Sequence, residues 1–170
     1  MARSFVISDL HLGHALLCKE EFSGPGLRPF PSADIMNEAL IDNWNSVVKH
    51  NDKVYVLGDV AIKKKYIHLM ARMNGTKRLV MGNHDIFDVK KDYLPYFKRV
   101  YAYKVWDNMI FTHIPIHRAS LKDRWKLNVH GHLHKHRIDD DRYMNVSVEQ
   151  INYTPLDIQE ILDALKEKGN

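Results

Sequence analysis

One cysteine, Cys18, stands in a chain of 170 residues, so no intramolecular disulfide can form. That excludes the disulfide-stapled secreted scaffolds and suits a reducing compartment. No uncharged apolar run is long enough to span a bilayer. Residues 1–30 lack the basic-then-apolar pattern of a signal peptide, so a cytoplasmic location and no membrane partner are expected. Internal repeats and low-complexity stretches are missing as well. The excess of positive charge is small, +4, and the basic runs are short: Lys63-Lys64-Lys65 and Lys90-Lys91. They lack the clustering with aromatics that a nucleic-acid surface needs, so no stable nucleic-acid complex is expected. At 45% hydrophobic and 27% charged, the remainder reads as one globular domain over residues 1–170.

What the chain does have is histidine, 11 in all. Histidine is the commonest metal ligand and a frequent acid or base. His50, His68 and His136 read as plain surface residues. Others fall in five short clusters: Asp9-Leu10-His11, Gly58-Asp59, Gly82-Asn83-His84-Asp85, Thr112-His113 and Gly131-His132-Leu133-His134. Each cluster follows a stretch that reads as a buried strand.

The spacing of apolar residues predicts an α/β alternation. Strands are expected at Arg3 to Ser8, Lys53 to Leu57 and Thr76 to Met81. A helix is expected over Ala33 to Lys49, with Ile35, Ala39, Leu40, Trp44, Val47 and Val48 as its core stripe. A second helix is expected over Val60 to Met73, stopped by Asn74-Gly75, and a weak one over Val89 to Phe97. Asp9 to Ser32, with Gly13, Gly24, Pro25, Gly26, Pro29 and Pro31, is a long functional loop. Arg99 to Trp106 and Met109 to His113 read as a hairpin turning at Asp107-Asn108. Further strands are expected at Lys126 to His130 and Arg142 to Val148. A final helix opens at Thr154 as N-cap, with Pro155 at its first position and Asp157 near its positive end. Ile158, Ile161, Leu162 and Leu165 form its buried stripe. The expected architecture is two packed sheets flanked by helices.

Two divalent ions about 3.5–4 Å apart can clamp both the attacking and the leaving oxygen of a phosphoryl displacement. Such a pair needs a shared carboxylate to offset cation repulsion, and neutral ligands to complete each shell. Asp9, His11, Asp59, Asn83, His113, His132 and His134 supply carboxylates, imidazoles and an amide oxygen, with no thiolate. This mixture suits Mn²⁺ first, with Fe, Ni or Zn²⁺ as alternatives, ahead of Mg²⁺. In an extended segment alternate side chains point the same way, so Asp9 with His11, and His132 with His134, can each share a centre. Gly58, Gly82 and Gly131 would let the backbone approach the ions closely.

These blocks resemble the calcineurin-like metallophosphoesterase family, whose pattern is D-x-H, G-D, G-N-H-[DE], a lone His and G-H-x-H. All five are present in order over positions 9 to 134, and residues 145–162 also resemble the end of small members of the family. The resemblance implies a two-sheet α/β/β/α sandwich with metals at the strand ends. It implies that Asp9, His11 and His134 hold one ion, that Asn83, His113 and His132 hold the other, and that Asp59 bridges both with a water or hydroxide. His84 would face the substrate and assist the leaving oxygen, and Asp85 would orient His84. The implied activity is hydrolysis of phosphate esters by the hydroxide held between the ions. Phosphodiesters such as nucleotides or cyclic nucleotides are favoured, because so compact a chain has little room for a cap domain. A phosphomonoesterase using the same site is the alternative, and a catalytically silent scaffold, as in the retromer subunit that resembles these enzymes, is a further one.

Taken singly, each residue has an ordinary reading. Asp9 and Asp59 can cap turns, Asn83 can be a turn residue, His113 a hydrogen-bonded core histidine, and His132 and His134 exposed loop residues. Their joint occurrence in order is what carries the signal. His130 precedes the glycine and is read as structural. His14 stands close enough to touch the site or to be a loop residue. For substrate contacts the candidates are Arg28, in position to meet a phosphate bidentately, His117 and Arg118 along the cleft, and Trp125 as a stacking ring. The chain carries no signal for oligomeric state.

Overall fold

The computed structural model describes residues 2–19, 27–122 and 124–168. The Gly24-Pro25-Gly26 part of the long first loop lies outside the described residues. Among the described residues, nine strands form two mixed sheets. The first contains β1 (Ser4–Ile7), β2 (Lys53–Val56), β3 (Thr76–Val80), β4 (Arg99–Tyr101) and β9 (Leu156–Asp157), in the order β4-β3-β2-β1-β9. The second contains β5 (Lys104–Trp106), β6 (Met109–Phe111), β7 (Leu127–His130) and β8 (Tyr143–Asn145), in that order.

The first sheet is buried on both faces, and the two-residue period of a strand sorts its side chains. Phe5, Ile7, Val54, Val56 and Leu79 point to a cluster built with α1 (Ala33–Val47). Val6, Tyr55, Leu57 and Val80 point the other way, to Met109, Phe111, Leu127 and Val129 of the second sheet and to Ile158 and Ile161 of a C-terminal helix. The first sheet therefore separates a layer of helix from a second sheet, as the sequence pattern predicts.

In α1 the buried positions are Ala33, Met36, Asn37, Leu40, Ile41 and Trp44, continued by Val48 at the C-cap, the helical spacing of one face. Ile35, expected in that stripe, is 51% exposed, because it lies a third of a turn from Met36. Trp44 is fully buried and donates its indole N–H to the Asn74 carbonyl at 3.0 Å.

Several elements differ from the sequence reading. The segment after Asp59 first pairs Ala61 with Leu12 and turns helical only at Lys64, as a 3-10 helix over Lys64–Arg72. Val89–Tyr93 is a single π-helical turn. Arg99 to Trp106 is not one strand: β4 pairs with β3 in the first sheet, and the chain crosses at Ala102-Tyr103 to start β5 in the second. The hairpin at Asp107-Asn108 joins β5 to β6 as expected. Thr154 does not cap the last helix. Leu156–Asp157 first pairs antiparallel to β1, and Asp157 accepts from the Gln159 N–H at 2.9 Å where the helix Ile158–Lys168 begins. Pairing with an open sheet edge satisfies backbone groups that a longer helix would have satisfied internally.

Strands β1, β2 and β3 are parallel, and so are β6, β7 and β8. Their C-terminal ends are therefore level, the place where open α/β sheets bind ligands. Trp44→Ala should lower unfolding free energy by about 3–5 kcal/mol in urea denaturation followed by circular dichroism. Ile35→Ala should stay within about 0.5 kcal/mol. Equal losses would contradict the assigned helix face.

Candidate metal centre

All five clusters lie at those C-terminal strand ends. Asp9 and His11 follow β1, Asp59 follows β2, Asn83 and His84 follow β3, His113 follows β6, and His132 and His134 follow β7. Two bonds stitch the sheets together beside them: His113 Nδ1 donates to Leu57 O at 2.7 Å, and Ser8 N donates to Val146 O at 3.0 Å.

The backbone that presents these side chains is not extended. Asp9, His11, Asp59, His132 and His134 all have positive φ, between 48° and 69°. The alternation expected for D-x-H and H-x-H thus does not operate; left-handed turns aim the side chains instead. That conformation is unfavourable for residues with a Cβ and concentrates at functional sites. Glycine acts as expected. Gly58 has φ +88°, and a Cβ there would lie 2.6 Å from His113 Nδ1. A Cβ on Gly82 would meet Asp59 Oδ1, and one on Gly131 would meet Ser8 Oγ and Asp9 Oδ2.

The predicted ligands converge. Asp59 Oδ2 lies 3.4 Å from His11 Nε2 and 3.3 Å from His113 Nε2. Asp9 Oδ1 lies 3.7 Å from His11 Nε2 and 4.0 Å from His134 Nε2. Asn83 Oδ1 lies 2.8 Å from His113 Nε2 and 3.0 Å from His132 Nδ1. Two groupings could each hold a cation: Asp9, His11 and His134, and Asp9, Asp59 and His113. Asn83 and His132 stand beside the second.

The donor chemistry fits cations. Asp9 Oδ1 and both ring nitrogens of His11 are buried without a hydrogen-bond partner among the described residues. Such groups are costly unless something satisfies them. His113 must donate from Nδ1, since a carbonyl only accepts, so its Nε2 faces the oxygens of Asp59 and Asn83. Only a proton or a cation can sit between them. Burial works against charge on His113, but Asp59 and Asp9 outweigh it and raise its pKa. For Asp9, burial is outweighed by His11, His113 and His134, which hold the carboxyl well below the usual range. Burial lowers His11 and keeps it neutral, the form that ligates.

Around these groups lies a supporting ring, part of which the sequence did not reveal. Glu149 Oε1 lies 3.0 Å from His134 Nδ1 and accepts from Arg28 Nε at 2.8 Å. Ser147 Oγ donates to Asp9 Oδ2 at 2.9 Å, and His132 N donates to the same oxygen at 2.9 Å. Glu149 and Ser147 join the site from 15 and 138 residues away in the chain, and no local pattern announces such contacts. His14 lies with its ring 5.4 Å from that of His11, and burial, then His11, push its pKa down to about 4.

Two assigned roles need correction. Arg28 is 1% exposed, and besides Glu149 it donates to Leu10 O at 2.7 Å and Asp9 O at 2.5 Å. A guanidinium so engaged offers no free edge to a phosphate; it braces the D-x-H turn from behind. Asp85 does not hydrogen-bond the His84 ring. Its carboxylate accepts from the backbone N–H of Asp59, Val60 and Gly82 at 2.8, 3.0 and 2.8 Å, and from Tyr93 Oη at 3.3 Å. It fastens the Gly58-Asp59 turn to the Gly82-Asn83-His84 turn, because three convergent N–H groups are its strongest available partners. His84 itself is exposed, with its ring 5.5 Å from that of His11, and its N–H donates to Asp59 Oδ1 at 2.9 Å. His117 and Arg118 are exposed on α2 (Arg118–Leu121) and its N-cap, with no hydrogen bond or ion pair to the centre among the described residues. Trp125 carries the Arg124 guanidinium 5.5 Å from its ring centre. His130 is buried with Nδ1 2.8 Å from Gly131 O, apart from the ligand set.

The chain is similar to known proteins over nearly its whole length. The family described as "Calcineurin-like phosphoesterase" matches residues 2–168. The chain is 35% identical to "Uncharacterized protein MJ1445" of Methanocaldococcus jannaschii, over 99% of this chain and 94% of that protein. It is 27% identical to the "Gene 66 protein" of Mycobacterium phage D29, over 79% of each. The crystal structure of AQ665 from Aquifex aeolicus, a protein of unknown function, superposes with a TM-score of 0.75 at 25% identity, covering 96% of this chain and 100% of that one. With its sandwich, its strand-end site and a match over nearly its whole length, this chain belongs to the calcineurin-like phosphoesterase family.

Proposed function

We propose that the chain is a dinuclear-metal phosphodiesterase acting on small esters, nucleotides among them. The observation that carries the reading is Asp59 Oδ2, poised between His11 Nε2 and His113 Nε2 at 3.4 and 3.3 Å. That is the position of a shared carboxylate. Asp9, His11 and His134 would hold one ion and Asn83, His113 and His132 the other, Mn²⁺ being the favoured metal and Fe, Ni or Zn²⁺ the alternatives. When bound, the ions supply activated water and neutralise charge on the phosphoryl oxygens.

The chain's own residues do the rest. His84, exposed beside His11, is placed to stabilise or protonate the departing oxygen. Its N–H bond to Asp59 Oδ1 fixes its loop against the bridging carboxylate. Asp85 serves as a positioning residue through the two turns it ties. Glu149 holds the proton of His134 on Nδ1 and so turns Nε2 toward Asp9. The preference for diesters rests on charge. A monoester dianion calls for one more cationic group than a diester monoanion, and Arg28 is already committed to Glu149 and two carbonyls. Residues 1–170 would act as one domain, since Ile151 packs against both core clusters. The lone Cys18 agrees with a cytoplasmic setting. Among the described residues, no helix is long and apolar enough to cross a membrane.

After chelation and reloading with Mn²⁺, Fe²⁺, Ni²⁺, Zn²⁺ or Mg²⁺, bis(4-nitrophenyl) phosphate should be hydrolysed with a higher kcat/KM than 4-nitrophenyl phosphate, and best with Mn²⁺. The reverse order would make the protein a monoesterase, and no turnover with any metal would favour a silent scaffold. His84→Ala should keep two metal equivalents by elemental analysis yet lose about 10²–10⁴ in kcat; parental turnover would refute its role. Asp59→Asn should lower metal stoichiometry itself. Glu149→Gln should weaken metal affinity by about 10–100-fold in competitive titration, with an unchanged circular dichroism spectrum; unchanged affinity would make the Glu149–His134 contact incidental.

A further inference from the structure

Beside Asn83 and His113 a groove of about 460 Å³ opens to solvent. Its walls are Met81, Ala102, Tyr103, Ile110, Ile114 and Ile116, with Thr112 between. Tyr103 and Ile114 are 57% and 50% exposed, unusual for side chains of this kind flanking a polar centre. Tyr103 sits where the chain crosses from one sheet to the other. Among the described residues, no Asp, Glu, Lys or Arg lines the groove.

Thr112 and the Ile116 backbone, along one wall, are already engaged. Thr112 Oγ1 donates to Ile114 O at 2.7 Å and accepts from Asn128 Nδ2 at 2.9 Å. Ile116 N donates to Asn128 Oδ1 at 2.9 Å, and Ile116 O accepts from Tyr143 Oη at 2.7 Å. The Ile114–Ile116 wall is thus pinned from behind by Asn128 and Tyr143 and presents hydrocarbon. Because Asn83 and His113 belong both to this groove and to the ligand set, whatever fills the groove is joined to whatever is held at the centre.

We infer that this groove is the subsite for a flat, uncharged aromatic ring carried by the ester, stacked on Tyr103 and covered by Ile114. The inference rests on the phosphodiesterase reading and adds the substrate's organic half to it. A charged group would lose water here without gaining a partner. A ring gains apolar contact and aromatic packing. Apart from the Tyr103 hydroxyl and the Asn83 amide N–H groups, the side chains on the walls offer hydrocarbon or engaged polar atoms, so the ring is bound chiefly for its shape.

The test uses three diesters that share one leaving group: phenyl, methyl and thymidine-5′ 4-nitrophenyl phosphate. Water attack releases 4-nitrophenolate from each, and only the retained group differs. KM for the phenyl ester should lie about 10-fold below that for the methyl ester, equivalent to about 1.4 kcal/mol. Tyr103→Ser and Ile114→Asp should each collapse the ratio toward one. Both substitutions are at exposed positions, so their folding is not at stake. The thymidine ester separates the two sources of such a ring. A KM near the phenyl value admits nucleobases, and one near the methyl value restricts the groove to simple aryl groups. Equal KM for all three esters that both Tyr103→Ser and Ile114→Asp raise would put the shared 4-nitrophenyl ring in the groove and keep the assignment; equal KM that neither substitution moves would overturn it and leave the phosphodiesterase reading standing, and no turnover of any ester would instead overturn that reading. If equal KM came with a dimer in sedimentation that Ile114→Asp dissociates, the groove would belong to a second copy of the chain, and the inference would be wrong.

Discussion

Two carboxylates and several imidazole nitrogens crowd into a buried volume in which their lone pairs face one another. Asp59 Oδ2 between His11 and His113, and Asp9 Oδ1 between His11 and His134, are arrangements that repel unless positive charge lies among them. In water these groups would be hydrated. Beneath the strand ends that hydration is gone, and the effective dielectric is lower. The rest of the molecule can be understood as what it takes to hold these candidate ligands together.

Parallel strands bring the five clusters level, but level is not converged. Convergence is achieved by left-handed residues at Asp9, His11, Asp59, His132 and His134, each a small local cost that the surroundings must impose. Asp85 is one source of that imposition, gathering three backbone N–H groups from two turns into a single carboxylate. Arg28 is another. Its guanidinium grips the carbonyls of Asp9 and Leu10 while pairing with Glu149, so the first loop and the segment after β8 are locked to the same turn. Asn37 of α1 adds a third constraint by accepting from Gly13 N at 2.9 Å.

These residues explain why function and architecture cannot be separated in this chain. A buried arginine beside a metal cage is electrostatically adverse to cations, yet its charge is matched by Glu149, which in turn sets the tautomer of His134. The outcome is a centre braced from behind and open in front, where His84 and Asn83 are exposed and the Tyr103–Ile114 groove begins.

Much of this was legible in the chain alone. The first three parallel strands, the first helix and the two-sheet arrangement follow from two-residue and helical periodicities, and five short motifs, all local in sequence, name the residues that gather at the strand ends. The errors are equally physical. Ile35 was placed in the core because apolar character says nothing about which of two adjacent residues turns inward. The apolar and aromatic residues of Arg99 to Trp106 do not mark which sheet each half joins, so its division into two strands is invisible in the sequence. Arg28 and Asp85 turn away from phosphate and from the His84 ring because an ionised side chain takes the strongest partners within reach, and those are backbone groups and a carboxylate brought from distant segments. Residue identity and spacing determined which atoms were available to ligate. Tertiary packing alone decided which were left facing the cage, since hydrogen bonds between remote segments consume some polar groups and leave others unmatched.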